Sequence, residues 1–143
     1  MSDEETSFEL PEGYILQESA DPAEMMIGPF CKQPDQPVTA FRPRPEHGNS
    51  LGIVHGGILM TFADFTFCNA GLLATGDSDC LTVNLNCNFV SGAPIDSWIH
   101  GEATVRQVTG RMIFADGLLT ADGATLLTFS GIGRRVHASG DKQ

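Results

Sequence analysis

Ile58-Leu59-Met60-Thr61-Phe62-Ala63-Asp64-Phe65-Thr66-Phe67-Cys68-Asn69-Ala70-Gly71-Leu72-Leu73 is the longest apolar run in the chain. It covers sixteen residues without Pro, and its one Gly falls near the end, so it reads as a helix. Apolar side chains surround the helix and form no single stripe, which predicts burial on most sides. Sixteen residues are too few to cross a bilayer, and Asp64 puts a charge in their midst.

Downstream, Val83, Leu85, Cys87 and Phe89 alternate with Thr82, Asn84, Asn86 and Asn88, the pattern of a strand with one apolar face. Three further extended segments are expected over residues 97–108, 111–120 and 124–136. Ser91-Gly92-Ala93-Pro94, Thr109-Gly110 and Asp122-Gly123 read as the hairpin turns between them. Upstream, seven of the eight prolines lie before residue 46, so the first third is irregular. A short helix is expected over residues 8–20, where Phe8, Leu10, Tyr14, Ile15 and Leu16 supply apolar contacts. Short strands are expected over residues 25–31 and 38–44. This order predicts an α+β domain: two short strands, one buried helix, and a four-stranded antiparallel meander wrapped around it. The edges of such a sheet must be covered or paired, so a dimer with a joined sheet follows naturally.

The 143 residues suit one domain, and 41% hydrophobic content is enough for a core. The formal charge of −10 argues against nucleic acid or an anionic membrane as partner. Residues 1–30 hold eight acids and no Lys or Arg, hence −8, leaving −2 for the rest. The acidity belongs to the amino-terminal segment, read as a solvated cover. Met1-Ser2-Asp3-Glu4-Glu5 has neither the basic start nor the apolar stretch of a secretory signal. Cys31, Cys68, Cys80 and Cys87 form no C-x-x-C pair, and no histidine is spaced around them as a zinc ligand. Reduced core cysteines in a cytoplasmic protein are expected.

Asp64 is the only charge in the apolar run. Burying an unpaired carboxylate costs several kcal/mol or raises its pKa until it is neutral. Either it sits at a polar opening, bonded to Thr61 or Asn69, or it faces a cleft as a general base or nucleophile. His55-Gly56-Gly57 opens the same helix. The first N–H groups of a helix lack internal partners, so a carbonyl oxygen gaining negative charge would be stabilised there. A plain turn-to-helix junction would look the same. Asn49 would add an amide donor, or serve simply as a turn residue. Gly57 and Asp64 are seven residues apart, roughly 10.5 Å along a helix axis. A donor and a base acting on one carbonyl group meet more easily if two antiparallel helices from different subunits supply them.

Asn49-Ser50-Leu51-Gly52-Ile53-Val54-His55-Gly56-Gly57 followed by Asp64 resembles the PaaI-like hotdog-fold acyl-CoA thioesterases. Their pattern is N-x-x-G-x-x-H-G-G with an aspartate nine residues after the histidine. The fold so implied is an antiparallel sheet wrapped around one central helix. Residues 26–143 would form the single hotdog domain and residues 1–25 an acidic amino-terminal extension. The resemblance implies hydrolysis of an acyl- or aryl-CoA thioester to free acid and CoA. Gly57 N–H, helped by Asn49, would polarise the carbonyl, and His55 would hold the loop and contact the substrate. Asp64 of the neighbouring subunit would activate water or attack directly. Thr82 stands where many relatives carry a serine that orients the water.

Gly56, Arg111 and Arg134 are the candidate substrate-binding residues, with Arg42, Arg44, Arg106 and Arg135 as further cations for the CoA phosphates. No metal or organic cofactor is expected beyond the CoA of the substrate. The expected assembly is a homodimer with a shared site, doubled into a homotetramer. Two other readings stay open: a non-catalytic acyl-CoA-binding hotdog module, and a hotdog enoyl-CoA hydratase or dehydratase. No G-x-S-x-G, S-x-x-K or H-E-x-x-H occurs, and Gly131-Ile132-Gly133 is half of a nucleotide fingerprint.

Overall fold

The computed structural model describes residues 9–18 and 21–137. The apolar run forms the central helix, α2 (Gly56–Thr75), 20 residues long. It begins on His55, whose side chain caps Gly57 N–H, and ends on Gly76 at φ 72°, a left-handed position that glycine takes without a Cβ clash. The helix is longer than the run alone predicted. By length and composition it could cross a membrane, but half of that span is buried inside the fold.

Around it, among the described residues, lies one antiparallel sheet of seven strands in the order β1-β2-β3-β5-β6-β7-β4. The strands are β1 (Ile15–Leu16), β2 (Phe30–Lys32), β3 (Val38–Phe41), β4 (Asp79–Phe89), β5 (Ile99–Val108), β6 (Met112–Ala121) and β7 (Ala124–Val136). A short helix, α1 (Pro22–Ile27), lies between β1 and β2. The core fills the space between sheet and helix, where Phe30 and Phe41 from the sheet meet Phe62 and Phe65 from α2. This is the hotdog arrangement, as expected.

Several local expectations are corrected. No helix forms over the described part of residues 8–20; Phe8, Ser19 and Ala20 lie outside the described residues. Ile15 and Leu16 instead pair with Lys32 and Cys31. The helical turn comes later because Asp21 caps the N–H groups of Ala23 and Glu24 and Pro22 stands at its first position. That turn takes Met25–Ile27 out of the expected strand, which starts only at Phe30.

The meander has three strands, β5, β6 and β7, and not four. Strand β4 pairs with β7 at the sheet edge, so Ser91-Gly92-Ala93-Pro94 is a crossover and no hairpin turn. The backbone explains it: Ala93 C=O accepts from Val54 N–H at 3.0 Å, and Asp96 N–H donates to Pro43 C=O at 2.9 Å. The segment is tied to the loops before α2 and carried across to β5.

Gly131 and Gly133 have a packing role. A Cβ at Gly131 would lie 2.8 Å from the Phe67 ring, and one at Gly133 would lie 3.1 Å from it. The missing side chains let α2 approach β7 closely. Gly131→Val is therefore expected to destabilise the fold by about 1–3 kcal/mol through overpacking, read as a lowered urea midpoint with an unchanged slope.

Candidate active site

Asp64 lies on α2 between the buried Ala63 and Phe65, itself only partly buried, and its Oδ1 accepts a hydrogen bond from Thr82 Oγ1. Neither Thr61 nor Asn69 is its partner, since Thr61 Oγ1 donates to Gly57 C=O at 3.0 Å. Burial pushes the Asp64 carboxyl above its ordinary range; the Thr82 bond opposes this and the nearby Asp21 adds to it.

Thr82 reaches Asp64 because β4 is irregular. Its pairing with β7 shifts register between Thr82 and Asn84. Before the shift Cys80 and Thr82 turn toward α2, and after it Leu85 and Cys87 do, while Leu81, Val83 and Asn84 stay exposed. In an unbroken strand Thr82 and Leu85 would face opposite sides; the bulge puts both against the helix. The single apolar face expected over Val83, Leu85, Cys87 and Phe89 is corrected accordingly: Val83 is 60% and Phe89 54% exposed.

A cleft of about 570 Å³ opens beside this pair. Its wall takes Asp64, Phe65, Cys68, Asn69 and Leu72 from α2, and Asp79, Cys80, Leu81 and Thr82 from β4. The amino-terminal segment closes it with Gln17, Glu18, Asp21 and Glu24, and β2 adds Lys32. Glu24 feels the crowding: burial, then Asp21 and Asp64, push its carboxyl up to about 7. These amino-terminal residues had no motif to mark them; their signal was the concentration of acids around one proline-capped turn.

The other site candidates gather elsewhere. Asn49 Oδ1 accepts from Leu51 N–H at 2.9 Å and from Ile53 N–H at 3.3 Å, so its oxygen shapes the loop. Gly57 N–H donates to His55 Nδ1 at 3.0 Å. The neighbouring Gly56 N–H makes no hydrogen bond among the described residues, and a Cβ at Gly56 would lie 3.1 Å from the Phe89 ring. None of Asn49, His55, Gly56 or Gly57 lines the Asp64 cleft. The fold of the single chain thus brings Asp64 and Thr82 together and leaves the double-glycine turn off the cleft wall.

Four of the candidate arginines have protein partners. Arg106 holds Asp116, Arg44 holds Glu46 and Gly28 C=O, Arg42 holds Asp96 C=O, and Arg135 holds Asp77, Ser78 and Thr109 C=O. The exposed side chains of Arg111 and Arg134 make no such bond among the described residues. Arg134 pairs in register with Leu81 and Met112, next to Arg111, at the sheet end near the C-terminus of α2.

A protein-family model described as the thioesterase superfamily matches residues 51–128, more than half of the chain. The chain belongs to the thioesterase superfamily. Among solved structures it resembles the E. coli PaaI protein of the phenylacetic acid degradation operon, with TM-score 0.69, 17% identity, and 82% of this chain and 86% of that one covered. A mutant of the phenylacetic acid degradation protein PaaI from Thermus thermophilus gives TM-score 0.70, 20% identity, and 81% and 100% coverage. A hypothetical thioesterase from Streptococcus pneumoniae, solved with coenzyme A, gives 0.64, 16%, and 88% and 90%. At these identities the likeness is one of fold. MIOREX complex component 3 of Saccharomyces cerevisiae is 31% identical over 74 residues, 52% of this chain, which spans only 27% of that protein's length.

This superfamily member has a pH dependence written into its cleft. A Glu24 pKa raised from 4.5 to about 7 means that the folded state holds the proton after the unfolded chain has lost it. Stability contributed by that proton is present below about pH 4.5 and falls away up to about pH 7. Glu24→Gln is expected to flatten the fall of melting temperature across that window.

Proposed function

We propose that this chain hydrolyses acyl- or aryl-CoA thioesters to the free acid and CoA. The observation that carries the reading is the Asp64–Thr82 pair: a carboxyl group whose pKa is raised by burial, held by a hydroxyl, on the wall of a cleft. Membership of the thioesterase superfamily supports the reaction class, and the coenzyme A in the pneumococcal relative supports the ligand.

In the proposed reaction Asp64 takes a proton from a water molecule oriented by Thr82. The water oxygen attacks the thioester carbonyl carbon, and the negative charge moves to the carbonyl oxygen. Backbone N–H groups at the start of α2 receive that charge, with the Asn49 amide beside them. Gly56 N–H is open already, whereas the Gly57 N–H expected from the sequence needs His55 to release it. Collapse of the intermediate breaks the C–S bond, and the thiolate takes the proton held by Asp64. Direct attack by Asp64, with water cleaving the resulting anhydride, uses the same residues. A hydratase reading finds less support, because His55 Nδ1 serves as a helix cap and the ring has no carboxylate partner among the described residues.

The site would be completed by a second copy. Asp64 and the double-glycine turn lie on one helix, and only Asp64 lines the cleft. The edge strand β4 exposes Leu81, Val83 and Phe89, an apolar margin suited to pairing with itself about a two-fold axis. Antiparallel pairing would set the first turn of one α2 near Arg111 and Arg134 of the other copy, where the CoA phosphates would lie. A dimer of dimers, no metal or added cofactor, and a cytoplasmic setting complete the proposal.

Asp64→Asn is expected to lower thiol release from a panel of acyl-CoAs by about 10²–10⁴-fold with little change in melting temperature. Wild-type protein that binds thioesters yet releases no thiol would leave only a binding module. Co-expression of Asp64→Asn with Gly57→Pro should restore about a quarter of wild-type activity, since half of random dimers would be mixed, each with one intact site. A site built within one protomer would show no restoration.

A further inference from the structure

Two of the four free cysteines meet on the wall of the Asp64 cleft. Cys68 comes from α2 and Cys80 from β4, and both are half-buried. Cys68 Sγ lies 3.4 Å from Cys80 C=O and 3.5 Å from Thr82 Oγ1, and the two thiols are hydrogen-bond partners of each other. Glycines bring helix and strand close at this point. A Cβ at Gly71, three residues beyond Cys68 and so on the same face of α2, would lie 3.5 Å from Cys80 Cβ. A Cβ at Gly133 would collide with Cys80 Sγ. A disulfide needs only that the two sulfurs close to about 2.05 Å.

The two thiols differ in readiness to react. The hydrogen bond from Cys68 holds the Cys80 thiol below its ordinary range, against burial and the Asp64 charge. The same bond, then burial and Asp64, push Cys68 up, so that Cys68 keeps its proton. In thiol oxidation the thiolate is the nucleophile, and a neighbouring thiol resolves the product. The other cysteines are less disposed to ionise: burial pushes the Cys31 thiol up to about 11, and burial and then Asp64 raise Cys87. Glu18, Asp21, Glu24 and Asp79 on the same wall repel an anionic oxidant such as glutathione disulfide, and a neutral hydroperoxide meets no such barrier.

We propose that Cys68 and Cys80 are a redox-modification site, closed by hydrogen peroxide into a reversible disulfide that ties α2 to β4 beside Asp64. The Cys80 thiolate attacks one peroxide oxygen, the O–O bond breaks, and the departing hydroxide takes up the proton that Cys80 released. The sulfur of the resulting sulfenic acid is attacked by Cys68 Sγ. The S–S bond forms, the S–O bond breaks, and the leaving hydroxide takes the Cys68 proton. Two thiols thus lose two electrons and two protons, and one peroxide becomes two waters. A dithiol reductant reverses the change by exchange. The disulfide draws Cys68 Sγ away from Thr82, whose hydroxyl holds Asp64. Its formation stands apart from the reaction proposed above, whereas its effect on turnover rests on that reading.

The test treats the reduced full chain with a small excess of hydrogen peroxide. Wild type is expected to lose about 2 Da, with free thiols falling from four to two and a Cys68–Cys80 crosslinked peptide in the digest; dithiothreitol should restore the starting state. Cys68→Ser is expected to stop at a Cys80 sulfenic acid captured by a neutral sulfenic-acid probe, and Cys80→Ser to form no crosslink. No crosslink in wild type, a disulfide through Cys31 or Cys87, or one between two chains overturns the proposal. On acyl-CoA, the oxidised wild type is expected to lose about tenfold or more in kcat, because a small displacement beside reacting groups is costly, and each serine variant should keep its own untreated rate. A disulfide with kcat unchanged keeps the modification site and overturns its hold on Thr82. A disulfide in a protein that cleaves no thioester even when reduced sinks the thioesterase reading and leaves the site standing.

Discussion

A single carboxylate on an otherwise apolar helix is the constraint to which the rest of the molecule answers. Helix α2 has to be buried, because it carries apolar side chains on nearly every face, yet it presents Asp64 partway along its length. The fold meets both demands by wrapping the sheet around the helix and delivering a hydroxyl to the carboxylate at one place. That delivery depends on the register shift in β4. Straighten the strand, and either Thr82 or the pair Leu85 and Cys87 would turn outward. A polar contact and an apolar one on the same short strand therefore share one backbone irregularity.

The acidic amino-terminal residues extend this arrangement. Gln17, Glu18, Asp21 and Glu24 close the cleft on the side that sheet and helix leave open, and they set its electrostatic character. Burial raises both Glu24 and Asp64, and the negative charge gathered there adds to it: Asp21 and Asp64 act on Glu24, and Asp21 acts on Asp64. The arginines without protein partners stand at the sheet end instead.

Glycines do two unlike jobs here. Gly131 and Gly133 are absences that admit the Phe67 ring and draw helix and sheet together. Gly56 and Gly57 sit at the helix start, where one N–H is spent on the His55 cap and the next is open. The first pair explains a motif that looked like part of a nucleotide fingerprint. The second belongs to the stretch by which the sequence resembles the PaaI-like thioesterases, and within the single chain it lies off the cleft that holds the carboxylate with which it is proposed to act.

Much of the fold was legible in the amino-acid order, because burial of a long apolar helix and alternation along strands are local patterns. The helix and the hairpins at Thr109-Gly110 and Asp122-Gly123 follow from such patterns, as does Asp64 as the lone charge of the helix, whereas Thr82 was marked only by the resemblance to the thioesterases. Non-local hydrogen bonding decided the remainder. The place of β4 beside β7 depends on where the backbone of residues 91–98 is tied, and the inward turn of Thr82 depends on a bulge that no residue type announces. The helix expected over residues 8–20 gave way to a strand and a capped turn once Lys32 and Cys31 offered Ile15 and Leu16 an edge. The meeting of Cys68 and Cys80 was invisible for a similar reason: which side chains face each other across helix and strand is a property of the folded surroundings, and sequence spacing carries no record of it.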